Sequence, residues 1–126
     1  MEKNCSKMKF EDLKVWQKAQ QAFLAMNDAL KESKMFFFKD QMLRASLSIS
    51  NNIAEGFEHK SNKEYLYFLY VAKGSCGEVR SMLHLGKQMK LYSKEFAEKM
   101  HAECLEVSYM LNGLIKSIGK AKSQEL

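Results

Sequence analysis

The sequence predicts an all-α chain, an antiparallel up-down-up-down four-helix bundle that assembles with copies of itself. Three observations carry this. The 126 residues include no proline and only six glycines, with 46% hydrophobic residues, a composition that favours helices over hairpins. Four stretches repeat apolar residues at helical spacing, joined by short polar links and with no alternating strand pattern between them. Two of those stretches are apolar over more than the face that one small core can cover. The length suits a single domain over 1–126, with the bundle at about 10–119 and short mobile tails at 1–9 and 120–126.

The first helix is expected over 11–33. Its seam is Leu13, Trp16, Ala19, Phe23, Met26 and Leu30, with Val15, Ala22 and Ala29 beside it, and Glu11 and Asp12 complement the dipole in its first turn. Phe36, Phe37 and Phe38 follow. Three consecutive rings cannot all face one core, so 33–39 reads as a connection whose rings cap the bundle end or touch a neighbour. The second helix, 39–57, has a core stripe at Met42, Ala45, Ile49, Ile53 and Gly56, and Gly56 marks its end. Ser61 followed by Glu64 is a capping-box signature for the third helix. Its seam is Tyr65, Phe68, Ala72, Ser75, Val79, Met82, Gly86 and Met89. Ser93 caps the fourth helix, which presents Phe96, Met100, Val107, Leu111, Leu114 and Ile118 and ends near Gly119.

The faces left over point to association. The second helix carries a further apolar stripe that includes Leu43 and Leu47. On the third helix, the side away from the seam holds Tyr67, Tyr70, Gly74, Gly77, Ser81 and Leu85 where a solitary bundle would carry charge. A glycine inside a helix costs up to ~1 kcal/mol against alanine. Close approach of another backbone is the usual compensation, so these residues form the expected oligomer interface.

The chemistry-bearing residues are few. Formal charge is +5, and eighteen of the twenty basic residues are lysine. That balance permits contact with nucleic acid, although two arginines offer little bidentate recognition. Lys73, Arg80 and Lys87 recur every seven residues along one flank of the third helix and form the candidate nucleic-acid-binding stripe. Charge at this spacing is most often a solvated flank. Arg44 faces the region from Gly74 to Glu78 when the second and third helices fold together. An Arg44–Glu78 pair with Asn52, Glu55 and Ser75 nearby reads as a structural polar network, and a ligand or RNA notch is the alternative.

Cys5, Cys76 and Cys104 are odd in number and widely spaced, which fits free thiols in a reducing cytoplasm; Cys76 and Cys104 read as small buried hydrophobes. Glu98 and His101 have the Glu-x-x-His spacing of di-iron bundles, but the chain holds one such motif and not two. Zinc at His84, His101 and Cys104 is disfavoured because His84 points away from the core. No metal, cofactor or small-molecule substrate is expected, nor a membrane-spanning run. No phosphate loop, Ser/His/Asp set or inward carboxylate pair supports an enzyme.

Phe10-Glu11-Asp12-Leu13-Lys14-Val15-Trp16-Gln17-Lys18-Ala19, then Arg44-Ala45, Ser48-Ile49 and Asn52-Ile53-Ala54-Glu55-Gly56, carry a resemblance. It recurs at Phe68-Leu69, at Gly74-Ser75 with Glu78, and at Met110-Leu111-Asn112-Gly113-Leu114-Ile115. In this order the chain resembles the 23S rRNA-intervening-sequence proteins, four-helix bundles encoded within inserts of bacterial ribosomal RNA genes and elsewhere. The resemblance implies a homo-oligomer, with a ring-like pentamer as the associated form. A related branch, the accessory proteins of diversity-generating retroelements, works with a reverse transcriptase and RNA. The chain departs from the family pattern at Ser50 and near Phe36–Phe38, where proline is frequent. Together these features lead to a non-enzymatic scaffold that binds RNA or a ribonucleoprotein, with a purely structural or protein-binding oligomer as the alternative.

Overall fold

The first described residues form a local closure. In a computed structural model, which describes residues 8–125, the Lys9 amide donates to the Asp12 carboxylate (3.1 Å) and closes a 3-10 turn over Phe10–Asp12. Trp16 meets Phe10 edge to face, with centroids 5.3 Å apart, so the turn is held against helix α1, Lys14–Leu30. Helices α2 (Phe36–Glu58), α3 (Asn62–Gln88) and α4 (Lys94–Glu125) follow. Among the described residues there are four α-helices and no strand, and no helix is long and apolar enough to cross a membrane.

Local signals set several of the ends. The Ser61 hydroxyl accepts from the Glu64 amide (3.1 Å) and so caps α3, while the Glu64 carboxylate takes the hydroxyl proton (3.0 Å) and not the Ser61 amide that a full capping box would engage. Ser93 accepts from the Phe96 amide (3.0 Å) at the start of α4. The end of α3 has no glycine to offer. Lys90 takes the left-handed conformation instead (φ 60°), and the Leu91 amide reaches back to the Gly86 carbonyl at 3.0 Å.

Three expectations are corrected. The triple phenylalanine is not a connection but the first turn of α2: Phe38 is 2% exposed in the core, whereas Phe36 and Phe37 are 62% and 71% exposed. The helical stripe Phe38, Met42, Ala45 therefore needs only one of the three rings. Gly56 does not end α2, which runs on to Glu58; it is buried where an added Cβ would lie 2.8 Å from the Phe68 Cβ. Nor does Gly119 end α4. A glycine stops a helix by taking a positive φ, none here does, and α4 continues to Glu125. That helix runs through 120–125 of the segment expected as a tail, while residue 126 and residues 1–7 of the other tail, with Cys5, lie outside the described residues.

One hydrophobic core draws on all four helices. The stripe expected on α2 is buried throughout. On α1 the core line runs through Val15, Ala19, Ala22, Met26 and Leu30, leaving Phe23 half-buried. On α3 it is centred on Leu69, Ala72, Cys76, Val79, Leu83 and Gly86, with Tyr65, Met82 and Met89 on its margin and Phe68 half-buried beyond it. On α4, Ala97, Cys104 and Ile115 join Met100, Val107 and Leu111, while Phe96, Leu114 and Ile118 are only partly buried. Cys76 and Cys104 are enclosed as expected. Burial pushes their thiols up to about 12 and about 11, which keeps them protonated and unreactive.

Candidate nucleic-acid interface

The polar residues of α2 and α3 divide into two groups that the sequence joined. In the first, the Asn52 amide donates to the Ser48 carbonyl (2.8 Å) and to the Ser48 hydroxyl (2.9 Å). The Ser48 hydroxyl also hydrogen-bonds the Ser75 hydroxyl, 2.9 Å away on α3. Asn52 and Ser75 are thus brought together through Ser48, a serine outside the expected network. In the second, Glu55 and Glu64 lie 3.6 and 3.4 Å from the two nitrogens of His59, whose ring stacks on Phe68. Arg44 belongs to neither. It is exposed, and no hydrogen bond or ion pair joins it to Glu78 among the described residues. Gln41, seven residues before Ser48 and so on the same line of the helix, donates to Glu78 instead.

This partition has a measurable consequence. Arg44→Ala is expected to change the unfolding free energy by no more than ~0.5 kcal/mol, as for an ordinary surface position. Ser48→Ala removes one of the two acceptors of Asn52 and the partner of Ser75, and is expected to cost ~1–2 kcal/mol. Urea titration of the two variants compares them directly.

A contact that the sequence reading missed ties α1 to α2. Ser50 is completely buried and accepts from Gln20 at 3.0 Å. A buried serine needs a partner, but nothing in its sequence setting, among Ser46, Ser48, Asn51 and Asn52, marked Ser50 out as the buried one.

Lys73, Arg80 and Lys87 are each half-buried on α3, and among the described residues none of them forms an ion pair. Two carboxylates of α4 are engaged elsewhere: Glu103 and Glu106 approach Lys18 of α1 at 3.8 and 3.2 Å. Lys87 lines a cleft of about 330 Å³ between α3 and α4, together with His84, Glu98 and His101. The two histidine rings are 5.0 Å apart. Burial first, then the charges of His84, Arg80 and Lys87, hold His101 below the usual histidine value, so its ring is uncharged at neutral pH. Lys73 lies two helical turns before Arg80 and outside the cleft. Positions 84 and 101 are equally distant from the Tyr92–Ser93 link, a symmetry that would have revealed the pairing. No group of three potential metal ligands occurs among the described residues.

The neighbouring face of α3 is apolar and open. Tyr67 and Tyr70 are 63% and 57% exposed, with Ser81 and Leu85 farther along the same line. A Cβ on Gly74 or Gly77 would meet nothing within 4 Å. On α2, Leu47 is exposed, whereas Leu43 rests against the margin of the core.

A profile of the 23S rRNA-intervening sequence protein matches residues 11–113. The chain belongs to that family. As an intervening-sequence protein, it has its match over the whole of α1, α2 and α3 and the first two-thirds of α4. Its fold is similar to the crystal structure of a protein with unknown function from the S23 ribosomal protein family of Bacteroides thetaiotaomicron VPI-5482. The two share 24% identity with a TM-score of 0.76, over 81% of this chain and 98% of that one. No curated protein matches the chain.

Proposed function

We propose that this intervening-sequence protein is a non-enzymatic, homo-oligomeric scaffold that binds RNA or a ribonucleoprotein through its basic surface. The helices run up-down-up-down. The α2–α3 contacts support this order, since Gly56 lies against Phe68, Ser48 bonds Ser75, Gln41 bonds Glu78 and Phe38 approaches Gly86, ascending numbers against descending ones. The copies assemble through the Tyr67-to-Leu85 face of α3 with Leu43 and Leu47 of α2, in a ring such as the pentamer associated with the family. The scaffold works in the cytoplasm, without cofactor or metal.

The observation that carries the RNA reading is the Lys73, Arg80, Lys87 stripe, cationic along one flank and without ion-pair partners among the described residues. Assembly repeats that stripe around the particle, and repeated weak phosphate contacts add by avidity. The exposed tyrosine face favours a second reading, a protein-binding or structural oligomer with no nucleic-acid role.

Filter binding separates the two. Labelled RNA is expected to bind at low salt and to weaken steeply with added salt, because phosphate contacts release counterions with a logarithmic slope of about −0.7 per contact on single strands. The triple variant Lys73→Glu, Arg80→Glu, Lys87→Glu is expected to lose at least about tenfold in affinity while keeping its helical signal and particle size. Equal binding by both proteins clears the stripe of this role. Absence of binding by the wild type at low salt favours the protein scaffold.

A further inference from the structure

The cleft between α3 and α4 has a composition that phosphate binding alone does not require. Its floor is apolar, built from Leu83, Ala97 and Leu105, and two imidazole rings wall it. One cation, Lys87, lines it. Glu98 also lines it. A carboxylate there opposes a phosphate inside the cleft but accepts hydrogen bonds from the N–H groups of a base.

We infer that this cleft takes one unpaired nucleotide of an RNA strand, its base against Leu83, Leu105 and the His101 ring and its phosphate at Lys87. The inference rests on the RNA-binding reading and makes it specific to single strands. A cleft of about 330 Å³ is at the small end for ligand sites and suits one planar base. Base stacking on a ring tolerates any sequence, because every base has a π-face. His101 is uncharged at neutral pH, so its ring presents such a face without the hydration of an imidazolium. A base in a duplex cannot reach the cleft, so double-stranded RNA is left with phosphate contacts alone.

The test compares a fluorescein-labelled single strand lacking self-complementarity with a fully paired duplex of equal length, by anisotropy at one salt concentration. The wild type is expected to favour the single strand by about tenfold. Ala102 is exposed at the cleft wall, and Ala102→Trp fills the space without altering charge. It is expected to erase the preference, with duplex binding unchanged within about twofold and the helical signal kept. His84→Ala, which removes an exposed ring from the wall, is a second variant with the same expected direction. Equal wild-type affinity for strand and duplex, or a preference that survives both substitutions, overturns the nucleotide cleft and leaves phosphate-only binding standing. No binding to either RNA at low salt overturns the RNA reading itself, and the cleft proposal with it.

Discussion

Gly86→Ala is expected to destabilise the chain by ~2 kcal/mol, although alanine is the better helix former. An added Cβ would lie 2.9 Å from the Phe38 Cζ and closer still to the Tyr92 ring and hydroxyl. Neither ring yields easily. Phe38 is enclosed in the core, and the Tyr92 hydroxyl donates towards the Met82 and Leu83 carbonyls at 3.4 and 3.3 Å while burial pushes its pKa up to about 12. Overpacking of this kind costs ~1–3 kcal/mol, against a helix-propensity gain of at most ~1 kcal/mol. The clash decides the sign. Gly113, on α4, is the control: its added Cβ would meet nothing within 4 Å, so Gly113→Ala is expected to be neutral or to stabilise by up to ~1 kcal/mol. Denaturant titration of both variants gives the comparison, and a Gly86→Ala protein as stable as the wild type would remove the close approach of Phe38 and Tyr92 as the reason for this glycine.

The two glycines differ in a way that only three dimensions reveal, and the same holds for much of what the sequence left open. Features fixed within a few residues were legible. Ser61 with Glu64, and Ser93, each cap a helix as written, because partner and acceptor lie within one turn. The core stripe of α2 was legible too, since its apolar residues repeat without competitors at the right spacing. On α3 the competitors were equal. Leu69, Cys76 and Leu83 and the parallel line of Tyr65, Phe68 and Met82 both satisfy the helical period, and contact with the other helices selects the first. The triple phenylalanine was misread because α2 starts at Met35 with no side-chain cap to announce it. The Arg44–Glu78 pair failed for another reason. Charge identifies possible partners but not which long side chain arrives, and Gln41 occupies Glu78 first. The His84–His101 cleft belongs to this last class: His84 read as pointing away from the core, and only the packing of α4 against α3 places the two rings side by side.

Gly74→Leu and Gly77→Leu are expected to break the assembly while leaving the helical fold in place. Within one chain these glycines have no purpose: an added Cβ meets open space at both, and leaving glycine favours the helix by up to ~1 kcal/mol each. They lie on one line with Tyr67, Tyr70, Ser81 and Leu85, a run of small residues flanked by large ones on a surface that the chain's own core does not cover. A second helix seated on that line would contact backbone at the glycines and bury the tyrosines, and a leucine at either position would hold it off. Light scattering at micromolar concentration is expected to give the wild type a mass above that of two 14.6 kDa chains, and each variant the mass of one, with circular dichroism still helical. Variants that assemble like the wild type would move the interface away from this face. A wild type found as a single chain would remove assembly from the proposed function, and with it the avidity that lets three cations per copy hold an RNA.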